Sequence, residues 1–170
     1  MMTNSEDNLD FEAADRSFIK ERGGESFNNY FGIPDGSAVF ESVVKLLLNS
    51  PSHDHLFLSD MKWLVLPPLQ LRQCKLYRQQ GVAVAFASWA MLSPEAEKDF
   101  IRNKRLRPRD WDSGNRCWLV DVVTPYGNSE QVIKNLTRTA LKEIPVQTLQ
   151  FHKDGFRVVQ LEEMLATTNQ

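Results

Sequence analysis

The spacing of apolar positions changes several times along the chain, and each change marks an element. Residues 1 to about 35 are polar and rich in Gly and Asn, with isolated Phe11, Phe18, Phe27, Tyr30 and Phe31, and read as an acidic, flexible leader. Asp35-Gly36-Ser37 then offers a cap for a helix from Ala38 to about Asn49. Val39, Phe40, Val43, Val44, Leu46, Leu47 and Leu48 make most of its surface apolar, which predicts a largely buried helix ended by Pro51. Ser59 can cap a second, short helix through Met61, Trp63 and Leu66 that Pro67-Pro68 breaks. Cys74 to Arg78 and Val82 to Ala90 flank Gln79-Gln80-Gly81 and predict a hairpin. Ser93-Pro94-Glu95 starts a helix that reaches about Asn103, with Pro at its first position and acids at its positive end. Arg116 to Val123 is rich in β-branched and aromatic residues and predicts a strand. Asn128 and Gln131 resemble a capping pair for a helix to about Glu143. Pro145 to His152 and Phe156 to Leu161 predict two strands around the turn Lys153-Asp154-Gly155. The order predicts one α+β domain over residues 36–165, a mostly antiparallel sheet with helices packed on it, followed by a polar tail at 166–170.

One strand breaks its own pattern. Period-2 geometry places Cys117, Leu119, Asp121 and Val123 on one face and Trp118, Val120 and Val122 on the other. Both faces are apolar, as in a central strand covered on both sides. Asp121 is the exception, because an unpaired carboxylate is costly to bury. Two readings account for it: a structural acceptor or ion pair, or an active-site acid that orients a histidine.

Composition narrows the class without choosing a chemistry. The 170 residues are 42% hydrophobic and 25% charged, the profile of a soluble globular domain. No apolar run approaches a membrane span, and the start of the chain lacks the basic and apolar regions of a secretory signal. Cys74 and Cys117 are the only cysteines and read as free thiols of a cytoplasmic protein. Net charge is −2, with seven acidic residues before residue 26 against Arg16, Lys20 and Arg22. The basic run Arg102, Lys104, Arg105, Arg107 and Arg109 reads as a solvated loop or as a docking patch for an acidic protein partner. With a pI near 5.9 and no nucleic-acid motif, no nucleic-acid partner is expected. His53-Asp54-His55 lacks a third ligand at metal spacing, so no metal is expected.

Three runs carry a family resemblance. DWDSGNRCWLVDVVTPYGN at 110–128, FASWAMLS at 86–93 and NSPSH at 49–53 resemble the toxin-activating lysine acyltransferases of RTX toxin systems, in the same order and at similar separations. The likeness covers about Asn49 to Asn128. It implies a GNAT-like acyltransferase fold, which has the element order given above. It also implies an enzyme that moves a fatty acyl chain from acyl carrier protein to internal lysines of an RTX-type protoxin, in the cytoplasm and with no bound cofactor. A homodimer is common among such proteins. In the family's S-P-x-H position stands His53, and in its W-x-x-D position Asp121; the resemblance makes these the catalytic His and Asp. Ser50 matches a serine of the same loop and is a candidate substrate contact, or simply a helix C-terminal serine. The family tends to carry an Asn in the segment aligned with Trp63-Leu64, and this chain has none there.

The chemistry implied is demanding in one respect. A lysine ε-amine has an ordinary pKa of about 10.4, so a base must take its proton before it can attack a thioester. Histidine suits this, and the chain offers His53, His55 and His152. Two other functions stay open on the residues. Arg78-Gln79-Gln80-Gly81-Val82-Ala83 fits the R-x-x-G-x-A pattern of coenzyme A-dependent GNAT N-acetyltransferases. That pattern works only when a helix N-terminus follows the loop, whereas a strand-like run follows here. The third reading is a non-catalytic chaperone for a secreted toxin.

Overall fold

The computed structural model describes residues 12–13 and 36–167. The rest of the predicted leader and the last three residues of the predicted tail lie outside the described residues. A six-stranded sheet runs in the order β1 to β6: β1 (Glu12–Ala13), β2 (Cys74–Gln79), β3 (Val82–Leu92), β4 (Arg116–Val123), β5 (Val146–His152) and β6 (Gly155–Gln160). All neighbours are antiparallel except β4 and β5, which are parallel. A parallel pair needs a crossover, and α5 (Ser129–Arg138) supplies it. This is the α+β, GNAT-like arrangement of a mostly antiparallel mixed sheet flanked by helices.

The helices divide between the two faces of the sheet. On the front face, α1 (Gly36–Leu48), α2 (Met61–Leu64) and α3 (Leu66–Leu71) cover Leu76, Phe86 and Val123. Farther along the same face, α4 (Pro94–Asn103) covers Ala90, Leu92 and Trp118, with Leu106 and Trp111 completing that cluster. On the back face, α5 and α6 (Leu161–Thr167) pack on Tyr77, Ala85, Ala87, Cys117 and Leu119. Each fully buried large side chain, such as Trp118 or Phe86, contributes about 2–3 kcal/mol through burial.

Several local expectations need correction. Helix α1 already begins at Gly36, and Leu48 is exposed, because a straight helix presents only part of its circumference to one sheet. Pro67 and Pro68 do not end the helical segment; they stand in the first turn of α3, where a missing N–H costs nothing. Asn128 adopts a left-handed conformation without a side-chain cap, and α5 stops at Arg138, well before Glu143. The hydroxyls of Thr137 and Thr139 bond back to the carbonyls of Lys134 and Asn135, a competition that weakens a helix end. The Gln80-Gly81 turn has positive φ at both residues, as a two-residue hairpin requires, and β3 follows it directly. No helix N-terminus stands behind that loop.

Two irregularities shape the middle of the sheet. Between Ser88↔Asp121 and Trp89↔Leu119, β3 advances one residue while β4 advances two, so Val120 is an inserted residue. The bulge inverts the alternation beyond it. Val122 joins the back-face cluster with Leu119, and Val123 joins the front-face cluster. Asp121 therefore shares the front face with Trp118, not the face of Cys117 and Leu119 that simple alternation predicts. The second irregularity is that β4 and β5 pair only over Cys117–Leu119 and Val146–Thr148. Past the bulge the two parallel strands are no longer bonded to each other.

The segment leading into β4 is locked onto the end of β3. Ser113 N and Gly114 N both donate to Met91 O, at 2.8 and 3.0 Å, and Ser113 Oγ accepts from Ser93 N. Gly114 lies so close that a Cβ there would stand 2.5 Å from Leu92 O and 2.6 Å from Ser93 N. Both are main-chain atoms that cannot move aside. Gly114→Ala is expected to destabilise the domain by about 2–3 kcal/mol, lowering Tm by roughly 5–10 °C in a thermal melt.

Candidate active site

The loop after α1 is a compact turn. Ser50 N donates to Leu47 O at 3.1 Å, closing the helix. Pro51 then opens a single 3-10 turn, Pro51–His53, in which His53 N donates to Ser50 O at 2.9 Å. Proline favours this geometry because its fixed φ suits a first turn. The turn gathers three side chains. Ser50 Oγ lies 2.8 Å and Ser52 Oγ 3.0 Å from His53 Nδ1, and the two hydroxyls are 3.1 Å apart. Ser50 is buried, 3% exposed, whereas Ser52 is exposed.

The other imidazole nitrogen faces the sheet. His53 Nε2 stands 3.1 Å from Asp121 Oδ1, across 68 positions of sequence. A carboxylate can only accept, so Nε2 carries the proton and Nδ1 holds the lone pair. In the neutral imidazole a serine hydroxyl then donates to that lone pair, and the two hydroxyls are close enough to bond each other. No other hydrogen bond to the Asp121 carboxylate is made among the described residues. Burial pulls the His53 pKa down, but the hydrogen bond and charge of Asp121, with the charge of Asp54, outweigh it and hold the imidazole above its ordinary value. The arrangement is that of a base whose conjugate acid is stabilised by a carboxylate, with its basic nitrogen turned toward hydroxyl groups.

The remaining residues singled out by sequence are placed differently. His55 is exposed and makes no hydrogen bond or ion pair among the described residues, and His152 is exposed at the end of β5. Cys74 and Cys117 are free; burial pushes their thiols up to about 12 and about 11, so neither is a ready thiolate. The basic run is partly occupied within the chain. Lys104 Nζ sits 3.5 Å from the Phe156 ring centroid, Arg105 pairs with Asp60 at 3.8 Å and lies over Trp63, and Arg107 pairs with Asp110 and Asp99. Arg102 and Arg109 make no ion pair among the described residues. Trp63 donates from Nε1 to Asp60 Oδ1 at 2.9 Å. Sequence reasoning did not single out Ser52 as a partner of His53, although a proline-started turn brings a residue two positions after Ser50 back toward it. It also overlooked Ser88, which faces Asp121 across the β3–β4 ladder.

A model of the RTX toxin acyltransferase family matches residues 34–164. The chain is 34% identical over 112 residues to the leukotoxin-activating lysine-acyltransferase LktC of Pasteurella haemolytica-like sp. (strain 5943B), covering 65% of each chain. It is 37% identical over 98 residues to the leukotoxin-activating lysine-acyltransferase LtxC of Aggregatibacter actinomycetemcomitans, covering 57% of this chain and 58% of that protein. It is 33% identical over 98 residues to the protein-lysine myristoyltransferase RtxC of Kingella kingae, covering 57% of this chain and 59% of that protein. The matched region thus spans less than two thirds of the length of these relatives.

The His53 environment makes a titration prediction. In the intact protein the imidazole should titrate above an ordinary histidine when followed by NMR. In Asp121→Asn the midpoint should fall, because burial then acts with only Asp54 against it. The sign of the linked stability follows. A histidine raised on folding contributes stability that is fully present below its unfolded pKa and is lost as pH rises through the folded value. The stability gap between the wild type and Asp121→Asn should therefore be larger at pH 5.5 than at pH 8.5 in urea denaturation.

Proposed function

The chain belongs to the RTX toxin acyltransferase family, and from that premise we propose that it is a protein-lysine acyltransferase that moves a fatty acyl chain from acyl carrier protein to internal lysines of an RTX-type protoxin in the cytoplasm. The observation that carries the mechanism is the 3.1 Å contact of His53 Nε2 with Asp121 Oδ1, which leaves Nδ1 as the basic atom. His53 and Asp121 are the catalytic pair. The incoming ε-ammonium displaces a serine hydroxyl from Nδ1 and gives up its proton there. The free amine attacks the thioester carbonyl. As the tetrahedral adduct collapses, the C–S bond breaks and His53 gives its proton to the departing thiolate; its freed Nδ1 then takes the second proton from the acylated nitrogen and releases it to solvent, leaving a neutral amide on the protoxin and a free thiol on the carrier. Asp121 accepts the hydrogen bond of Nε2–H throughout, stays ionised, and stabilises the imidazolium formed between these steps. Ser50, buried beside Nδ1, holds the lone pair in line until the substrate arrives.

The donor side of this reading rests on the parting of β4 and β5 beyond Leu119. Main-chain groups that no longer pair with a neighbouring strand suit the amides of an extended phosphopantetheine arm. Arg102, Lys104, Arg105, Arg107 and Arg109 serve as the docking surface for the acidic carrier, with Arg102 and Arg109 contributing most because they make no ion pair among the described residues. A coenzyme A-dependent reaction through Arg78 to Ala83 is disfavoured by the strand that follows Gly81. A homodimer is compatible with this chemistry and is not required by it.

Co-expression with the protoxin and acyl carrier protein, followed by intact-mass analysis of the protoxin, tests the reading. The wild-type chain should add an acyl mass, and His53→Ala or Asp121→Ala should reduce acylation by about 10²–10⁴-fold while the protein stays folded. Protoxin binding without any mass increase would instead establish a chaperone. Arg102→Glu with Arg109→Glu should raise KM for the acyl-carrier donor severalfold at low salt and leave kcat unchanged.

A further inference from the structure

Ser88 stands at the centre of a polar row on the front face of the sheet. Its Cα pairs with Cys74 on β2 and with Asp121 on β4, so the three side chains lie side by side. The row divides the two front-face core clusters, one built on Phe86 and Val123 and the other on Ala90 and Trp118. Ser88 is 0% exposed, and its hydroxyl has no hydrogen-bond partner among the described residues. A buried hydroxyl left unpaired is costly, and such groups are rare enough to require a reason. Beside it, Asp121 uses only Oδ1, toward His53. A buried, unpaired hydroxyl and a carboxylate oxygen with no hydrogen-bond donor among the described residues therefore occupy directly opposed positions, and the Val120 bulge is what puts them on the same face. Side chains so paired have Cβ atoms about 4.5–5.5 Å apart, within reach of a hydrogen bond after one serine rotamer change.

We propose that Ser88 is a positioning residue for Asp121: its hydroxyl rotates to donate to the carboxylate oxygen that His53 leaves free and holds the carboxylate square to the imidazole. This rests on the proposed roles of His53 and Asp121. The need for such a tether follows from the local structure. Asp121 lies just past a bulge, where β4 has lost β5 as a neighbour, and no cation or backbone N–H bonds to its carboxylate among the described residues. The groups that could act on this pair through charge are few. Asp54 lies next to His53 in the loop, and Cys74 flanks Ser88 with a thiol kept neutral by burial.

Two variants and two measurements test this. Ser88→Ala removes the hydroxyl and keeps the small volume, so it should fold; Ser88→Thr restores a hydroxyl. In Ser88→Ala the NMR titration midpoint of His53 should fall toward that of Asp121→Asn, and in Ser88→Thr it should recover. Under acyl-transfer conditions Ser88→Ala should lower kcat about tenfold with KM for both substrates unchanged. The titration needs no acyl donor, so it stands even if the chain transfers no acyl group. An unchanged or higher midpoint in Ser88→Ala would overturn the proposal and leave Ser88 as a space-filling residue. A tenfold loss of kcat with an unchanged midpoint would likewise place its effect elsewhere than on Asp121.

Discussion

One inserted residue governs the site. Were Val120 paired in regular register in the β3–β4 ladder instead of bulged, strict alternation would turn Asp121 to the back face, among Leu119, Ile133 and Leu136. There a carboxylate would meet only apolar side chains and no histidine, at a desolvation cost of several kcal/mol. With the bulge, the same residue faces the loop after α1 and finds His53 at 3.1 Å. Bulges next to functional sites re-aim a side chain, and here the re-aimed group is the one charged side chain in the inner part of β4.

The rest of the fold serves that contact from two sides. Helix α1 is anchored to the sheet through Val43, Leu46 and Leu47, which fixes where it ends and hence where the Pro51 turn begins. The front-face core is built as two clusters with a polar row between them, and the His53 loop stands over that row. Val120 packs against both clusters and so joins them at the bulge. On the far side, Glu97 of α4 accepts from Trp118 Nε1 at 2.9 Å and is bonded by Arg116, tying helix α4 to the start of β4. Strand β4 is therefore held firmly up to the bulge and has fewer main-chain partners beyond it.

Electrostatics at the site are arranged by partial burial rather than by many charges. His53 loses hydration, which disfavours its cation, and gains Asp121, which favours it more strongly. The nearby basic run does not act on the pair directly. Three of its five cations are engaged by Phe156, Asp60, Trp63, Asp99 and Asp110, so its field is weaker than its composition suggests.

The sequence by itself determined the elements and their order. Apolar periodicity marked α1, the Gln80-Gly81 turn marked the hairpin, and Ser93-Pro94 marked the start of α4, where the Ser93 hydroxyl accepts from Ala96 N at 3.2 Å. These are local signals, written in residues that contact one another along the chain. Sequence also made Asp121 conspicuous, as a charge in an apolar strand, and set Ser50 and His53 within one turn. Tertiary structure alone decided which face Asp121 takes. A bulge is a property of two strands in register, and nothing in Trp118-Leu119-Val120-Asp121 taken alone says that one residue will be left over. The same holds for Ser88, whose place opposite Asp121 exists only across the ladder. The end of α5 at Arg138 and the helix opened by Pro67-Pro68 were missed for a related reason. There, back-bonding threonines and the position of a proline within a turn outweighed the periodicity that the eye follows first.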